Sequence, residues 1–310
     1  MATILKGAPV AEAINAQMIE DVADLKLRGI IPTLAILRVG ERPDDLSYER
    51  TATKRAEKVG VAVEHVVLPA DVSREIFDET LTGLNENEKI HGILMLRPLP
   101  KQLDNEKARQ MLDPKKDIDG CTDLSLAGVF TDAAIGFPPC TAEAAMKILD
   151  YYNIELSGKK AAVIGRSLVI GKPVAMMLMR ENATVVNCHT RTQDVAAITK
   201  QADILITAAG KLRSVDETYT NPDQVIIDVG INWDENKGGI AGDCDFEKVE
   251  PCVKAITPVP GGVGTVTTSV LISHVISAAW KSYESNESNE SNESNESNES
   301  NESNESNESI

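Results

Sequence analysis

Residues 159–173, KKAAVIGRSLVIGKP, constrain this chain more than any other stretch. Ala161 to Ile164 are small or apolar and give a buried-strand signal, which breaks at Gly165 and passes through Arg166 and Ser167. A helix restarts at Gly171 with Pro173 in its first turn, where an amide needs no intrahelical partner. Strand, glycine turn and helix N-terminus together make a phosphate cradle, because free amides and the helix dipole favour an anion. The spacing Gly-x5-Gly departs from G-x-G-x-x-G, so spacing alone leaves two readings: a dinucleotide cradle, or a strand-to-helix turn that binds nothing.

The 310 residues suffice for two domains with ample cores. The formal net charge of −17 is inflated by the C-terminus, where Glu-Ser-Asn repeats eight times from Glu284 and the chain ends Glu-Ser-Ile. Removing those nine glutamates leaves −8 for residues 1–283, and a moderately acidic body without a basic stripe argues against nucleic acid and anionic membrane as partners. Residues 284–310 have almost no apolar side chain to offset the entropy of ordering, so a disordered tail is expected. Five dispersed cysteines without a C-x-x-C pair indicate reduced thiols. With no signal-peptide pattern and no run judged apolar enough to span a bilayer, a soluble, cytoplasmic protein is expected.

Along the chain, strand signals at 33–39, 61–68 and 90–96 alternate with helical periodicity at 9–28, 46–58, 73–84 and 105–112. That alternation predicts a parallel α/β layer. Ser73 is a plausible helix cap. From 113 to 141 the pattern lapses into a long segment rich in Asp, Gly and Pro, and the interdomain crossing is expected there. Thr141 is read as the cap of a helix to Tyr152. A second α/β unit follows, with strands at 160–165, 183–188, 203–207 and 225–229 and helices at 171–181 and 193–201. An apolar helix then runs to about Tyr283 and is expected to pack back on the first domain. The predicted fold is α/β, with two α/β domains, the first formed by 1–140 and 266–283 and the second by 141–265.

Four motifs in order carry a resemblance: KDIDG at 116–120, FPPCT at 137–141, Gly165-Arg166-Ser167 with Gly171-x-Pro173, and ITPVPGGVG at 256–264. Over roughly residues 3–281 the chain resembles the methylenetetrahydrofolate dehydrogenase/methenyltetrahydrofolate cyclohydrolase enzymes. The resemblance implies that the first domain is an N-terminal α/β catalytic domain and the second a C-terminal Rossmann-type NAD(P) domain, with folate lying in the cleft between them. It also implies hydride transfer from the methylene bridge of 5,10-methylenetetrahydrofolate to the nicotinamide of NAD(P), in one-carbon metabolism. Folate N5 and N10 drive hydride loss, so the protein contributes mainly orientation and water exclusion. By resemblance Tyr48 stacks on the folate, and Asp119 accepts hydrogen bonds from the pterin, a donor pair suited to a carboxylate. Asp117 is read as the structural acid of the pair. Pro260, Gly261, Gly262 and Thr267 complete the expected substrate site, glycine letting the backbone approach a ligand closely. Thr265 stands where members often carry proline.

Two departures bear on the hydrolase half. Bifunctional members carry a lysine four residues after the tyrosine, on the same helix face; here that position is Ala52. Lys54 lies about 240° around the helix from Tyr48 and faces elsewhere. The members' glutamine before L-P-L-P is Leu96 here, in the run Met95-Leu96-Arg97-Pro98. Without both groups nothing is positioned for the proton transfers of hydrolysis. The expectation is therefore a dehydrogenase with weak or absent cyclohydrolase activity, working alongside a separate cyclohydrolase. The alternatives are a fully bifunctional enzyme and a non-catalytic folate- or nucleotide-binding regulator.

The second Rossmann strand ends NCHTRT without an acid to hold ribose hydroxyls. Arg166 and Arg191, with Ser167 and Thr190, would clamp a 2′-phosphate, favouring NADP over NAD. Gly165, Gly171 and Ile231 complete the expected cofactor set. His189 is read as structural; no metal site is expected, and a homodimer is expected from the resemblance alone.

Overall fold

The computed structural model describes residues 1–235 and 237–305, with side chains to residue 288 apart from that gap. Two parallel sheets organise it. The smaller is β3-β2-β4, built from β2 (Thr33–Val39), β3 (Ala62–Leu68) and β4 (Gly92–Met95). Between these strands run α2 (Pro43–Val59) and α3 (Arg74–Glu86), preceded by α1 (Gly7–Leu27) and followed by α4 (Asn105–Met111). Pro43 occupies the first turn of α2, and Gly60 closes it in the left-handed conformation. Ser73 caps α3 as expected, accepting the Ile76 amide. β2 is buried from Leu34 onward, as a doubly covered parallel strand must be.

The larger sheet has the order β1-β11-β8-β7-β5-β6, every pair parallel. Its members are β1 (Thr3–Ile4), β5 (Lys160–Ile164), β6 (Thr184–Cys188), β7 (Ile204–Thr207), β8 (Val225–Asp228) and β11 (Ala255–Ile256). Helices α7 (Gly171–Arg180), α8 (Val195–Thr199) and α9 (Phe246–Val249) connect them, and β9 (Asn232–Asp234) pairs antiparallel with β10 (Gly239–Ala241). The long polar segment contains α5 (Asp123–Thr131), capped by Thr122, and leads into α6 (Cys140–Tyr151). Thr141 is not the cap of α6: Pro139 holds that position and Thr141 lies in the first turn. The start of the chain also departs from the expected division, because Thr3 and Ile4 pair with Ala255 and Ile256 in the larger sheet.

The last helix, α10 (Val263–Glu305), packs back as expected, against α1, α6 and α2. Two expectations need correction there. By length and composition Val263–Ser288 is apolar enough to cross a membrane, but 67% of its most apolar window is buried inside the protein, which makes it a core helix. The repeat segment, expected to be disordered from 284, continues as helix to Glu305. Glutamate favours helix, no Gly or Pro interrupts, and extension from a formed helix avoids the nucleation cost. Residues 306–310 of that expected tail lie outside the described residues.

Candidate active site

The start of α2, the exit of β4 and the KDIDG turn converge on a cavity of about 380 Å³ lined by Arg42, Asp45, Tyr48, Leu96, Arg97 and Asp119. Arg42 and Asp45 brace its mouth: the guanidinium donates to both carboxylate oxygens at 2.9 and 2.6 Å and to the Arg97 carbonyl at 3.2 Å. Tyr48 is half-buried, and its phenol is pushed well up by burial, with the charges of Asp119 and Cys140 adding to it. Ala52, one turn further along α2, is fully buried in the same apolar cluster as Leu96. Lys54 is exposed, as expected.

The KDIDG turn divides its two acids cleanly. Asp117 is buried and accepts from the Cys121 amide (3.0 Å), the Thr122 amide (2.7 Å) and the Ser125 hydroxyl (2.7 Å), so it is structural. Gly120 has φ 64°, and a Cβ there would meet the Pro138–Pro139 peptide at 2.4 Å. Asp119 is left facing the cavity. Burial, then the charge of Asp117, raises its pKa to about 6, while Arg97, Cys140 and His274 pull the other way. Arg97 is a site residue that pattern reading did not single out as functional; its signal was a lone cation in the apolar run ILMLRPLP.

The remaining expected substrate residues lie at the start of α10. Pro260 and Gly261 are exposed, Gly262 is buried and Thr267 half-buried. The Val259–Pro260 and Arg97–Pro98 bonds are both cis. The Gly261 carbonyl accepts the Gly7 amide at 2.8 Å, and a Cβ on Gly7 would lie 2.1 Å from the Gly262 oxygen. That clash fixes glycine at position 7. Ile231, exposed, sits 4.0 Å from where a Cβ on Gly264 would be, bringing one expected cofactor residue beside the PGGVG loop.

The second half of the site is the turn after β5. Gly165 has φ 127°, and a Cβ there would stand 2.3 Å from the Ala208 oxygen; one on Gly171 would stand 2.3 Å from the Gly165 oxygen. The turn is thus too tight for any other residue at either glycine. The Ser167 hydroxyl accepts the Ile170 amide (3.2 Å), leaving its proton free to donate outward. Arg166 and Ser167 leave the end of β5, Thr190 and Arg191 the end of its neighbour β6, and all four are exposed. His189 accepts the Arg191 amide at 3.2 Å, a structural role as expected. Among the described residues no group of three or more His, Cys, Asp or Glu has metal-binding geometry. A larger hollow, about 650 Å³, lies between α3 and α10 and includes none of these site residues.

Comparison with known proteins assigns the two halves. Residues 5–119 match the model of the tetrahydrofolate dehydrogenase/cyclohydrolase catalytic domain, and residues 139–283 that of the NAD(P)-binding domain. The chain belongs to the tetrahydrofolate dehydrogenase/cyclohydrolase family. It is 51% identical over 279 residues to the bifunctional protein FolD of Carboxydothermus hydrogenoformans, spanning 90% of this chain and 97% of that relative. The solved structure of the bifunctional FolD of Campylobacter jejuni superposes with a TM-score of 0.87 at 34% identity, covering 91% of this chain and 99% of that one. The Trypanosoma brucei enzyme, solved with NADP and an inhibitor, gives 0.84 at 34% identity, covering 91% and 98%.

Proposed function

We propose that this chain oxidises 5,10-methylenetetrahydrofolate to the 5,10-methenyl form with NADP. The observation that carries this reading is the cavity that joins Tyr48 and Asp119, two residues 71 positions apart with complementary duties toward one flat, polar-edged ring system. Asp119 would accept the pterin's paired N–H donors through its two oxygens. Tyr48 would cover the ring face and, held neutral by its surroundings, add no charge beside the cationic product. Nicotinamide, when bound, supplies the hydride acceptor. This chain's residues fit such a group: two glycines that no Cβ could replace, a helix N-terminus at Gly171 without a side-chain cap, and two exposed arginines for a 2′-phosphate. Since folate nitrogens provide the electronic push, orientation in a water-poor cleft is the protein's main contribution. We further propose the domain division given by the sequence, adjusted to put residues 3–4 with the larger sheet, and a cytoplasmic homodimer, which light scattering on the purified protein would check.

For hydrolysis of the methenyl product, the comparisons favour the bifunctional reading, since both family halves match and the relative at 51% identity is named bifunctional. One specific observation favours the second reading, dehydrogenation alone. At the positions where the resemblance expects lysine and glutamine stand a buried Ala52 and a Leu96 only 5% exposed, neither able to steer water. Under the bifunctional reading Arg97, which lines the cavity beside Leu96, takes over that duty. The assay is spectrophotometric. Reduction of NADP that depends on methylenetetrahydrofolate, at a higher kcat/KM than with NAD, supports the proposal; no reduction with either nucleotide refutes it. Enzyme-dependent decay of methenyltetrahydrofolate at a comparable rate, abolished in R97L, decides for the bifunctional reading, and its absence decides for dehydrogenation alone.

A further inference from the structure

Behind Asp119, away from the cavity, lies a polar cluster that the proposed chemistry does not use. His274, on α10, is 4% exposed. Its Nδ1 is 2.7 Å from the Ile118 carbonyl oxygen, and its Nε2 is 2.7 Å from Glu143 Oε2 on α6. Phe137 stacks on the ring at 4.7 Å between centroids, with 25° between planes. Cys140 Sγ completes the surround, 3.7 Å from Nδ1 and 3.1 Å from the same Ile118 oxygen.

Two consequences follow from elementary chemistry. A carbonyl oxygen accepts hydrogen bonds and does not donate them, and the same holds for an ionised carboxylate. Burial raises Glu143, while the adjacent His274 and Lys147 hold it below its ordinary value. Nδ1 of His274 faces a carbonyl and therefore donates to Ile118, and Nε2 forms a second hydrogen bond with Glu143, which Lys147 approaches at 3.7 Å. The second consequence is geometric. The Ile118 carbonyl shares one rigid peptide plane with the amide and Cα of Asp119. Fixing that oxygen fixes the point from which the Asp119 side chain departs.

We propose that His274 is a positioning residue: clamped by Glu143, it donates from Nδ1 to anchor the Ile118–Asp119 peptide and so aims the Asp119 carboxylate into the cavity. The inference rests on the folate reading of that cavity, but its hydrogen-bonding half can be tested without it. In heteronuclear NMR of the full-length protein near neutral pH, Nδ1 of His274 should carry a proton; a ring without a proton on Nδ1 overturns the proposal. The positional half uses two variants. In H274N the amide nitrogen replaces Nδ1 and keeps the bond to Ile118; in H274Q it replaces Nε2 and keeps the bond to Glu143. H274Q should raise KM for methylenetetrahydrofolate about tenfold, the usual worth of one lost buried hydrogen bond, with KM for NADP and thermal midpoint close to wild type. H274N should stay within about threefold, since it keeps the anchoring bond. Equal folate KM in both variants, or a parallel loss of folate and nucleotide binding with a lowered midpoint, overturns it. A wild-type protein inactive toward methylenetetrahydrofolate would instead strike the proposed function and leave the ring-proton result standing.

Discussion

Replacing Asp119 with asparagine should stabilise the protein at neutral pH while crippling folate binding. Burial, ahead of the charge of Asp117, raises the Asp119 pKa to about 6 from the ordinary 3.8. The sign is opposite to that of a salt-bridged carboxylate. Between pH 3.8 and 6 the folded state holds a proton that the unfolded chain has released, so stability falls as pH rises through that window and is flat above it. A difference of about two pH units corresponds to a ceiling of about 3 kcal/mol. Asp119 is partly open to the cavity, and solvent screening brings the expected figure to about 1–3 kcal/mol. The assay is denaturant unfolding of wild type and D119N at pH 4 and pH 7.5. D119N should match wild type at the lower pH and exceed it by that amount at the higher. In the same variant, loss of a charge-assisted, two-point acceptor should raise KM for methylenetetrahydrofolate roughly 10- to 150-fold. In wild type, kcat/KM should fall by up to about tenfold per pH unit below 6, as Asp119 takes up its proton. A D119N protein less stable than wild type at pH 7.5, or one that binds folate equally well, refutes the reasoning.

Other perturbations test the rest of the cleft. G165A forces a Cβ to within 2.3 Å of the Ala208 oxygen at φ 127°, so it should cost about 2 kcal/mol or more of stability and weaken NADP binding, read by chemical denaturation and nucleotide titration. R191A should raise KM for NADP about tenfold and leave KM for NAD nearly unchanged, because only the former carries the extra phosphate; equal effects on both would remove the phosphate clamp. A52K combined with L96Q puts lysine and glutamine at the two positions where the resemblance expects them, and should speed methenyltetrahydrofolate decay at least about tenfold if the wild type lacks a positioned group. The same variant leaving decay unchanged would count against the role assigned to those two positions.

What was legible in the sequence was mostly local. β2 was read residue for residue, because a doubly buried strand is a continuous apolar run, and the turn between Gly165 and Gly171 announced itself through glycine and Pro173. Tyr48 and Asp119 were reached through motif resemblance, and the fold then brought them to one cavity. What escaped was non-local or masked by composition. β1 and β11 have two residues each, and β1 exists only because it pairs with β11 across some 250 positions, while β11 also pairs with β8. α5 hid in the polar segment because its start is set by the Thr122 cap and by Ser125 bonding to Asp117, not by an apolar stripe. The Glu-Ser-Asn repeat carries no apolar stripe, and its helix continues from a buried one. The His274–Glu143 pair joins residues 131 apart and left no pattern at either position.

The most direct test follows the transferred atom. Purified protein would be supplied with NADP and methylenetetrahydrofolate carrying deuterium at the bridge carbon, and the reduced nucleotide analysed by mass spectrometry. One deuteron should appear in each nucleotide, placed there from the folate without exchange with water. Reduced nucleotide free of deuterium, or none formed while both ligands bind, would contradict direct hydride transfer between the two halves of this cleft.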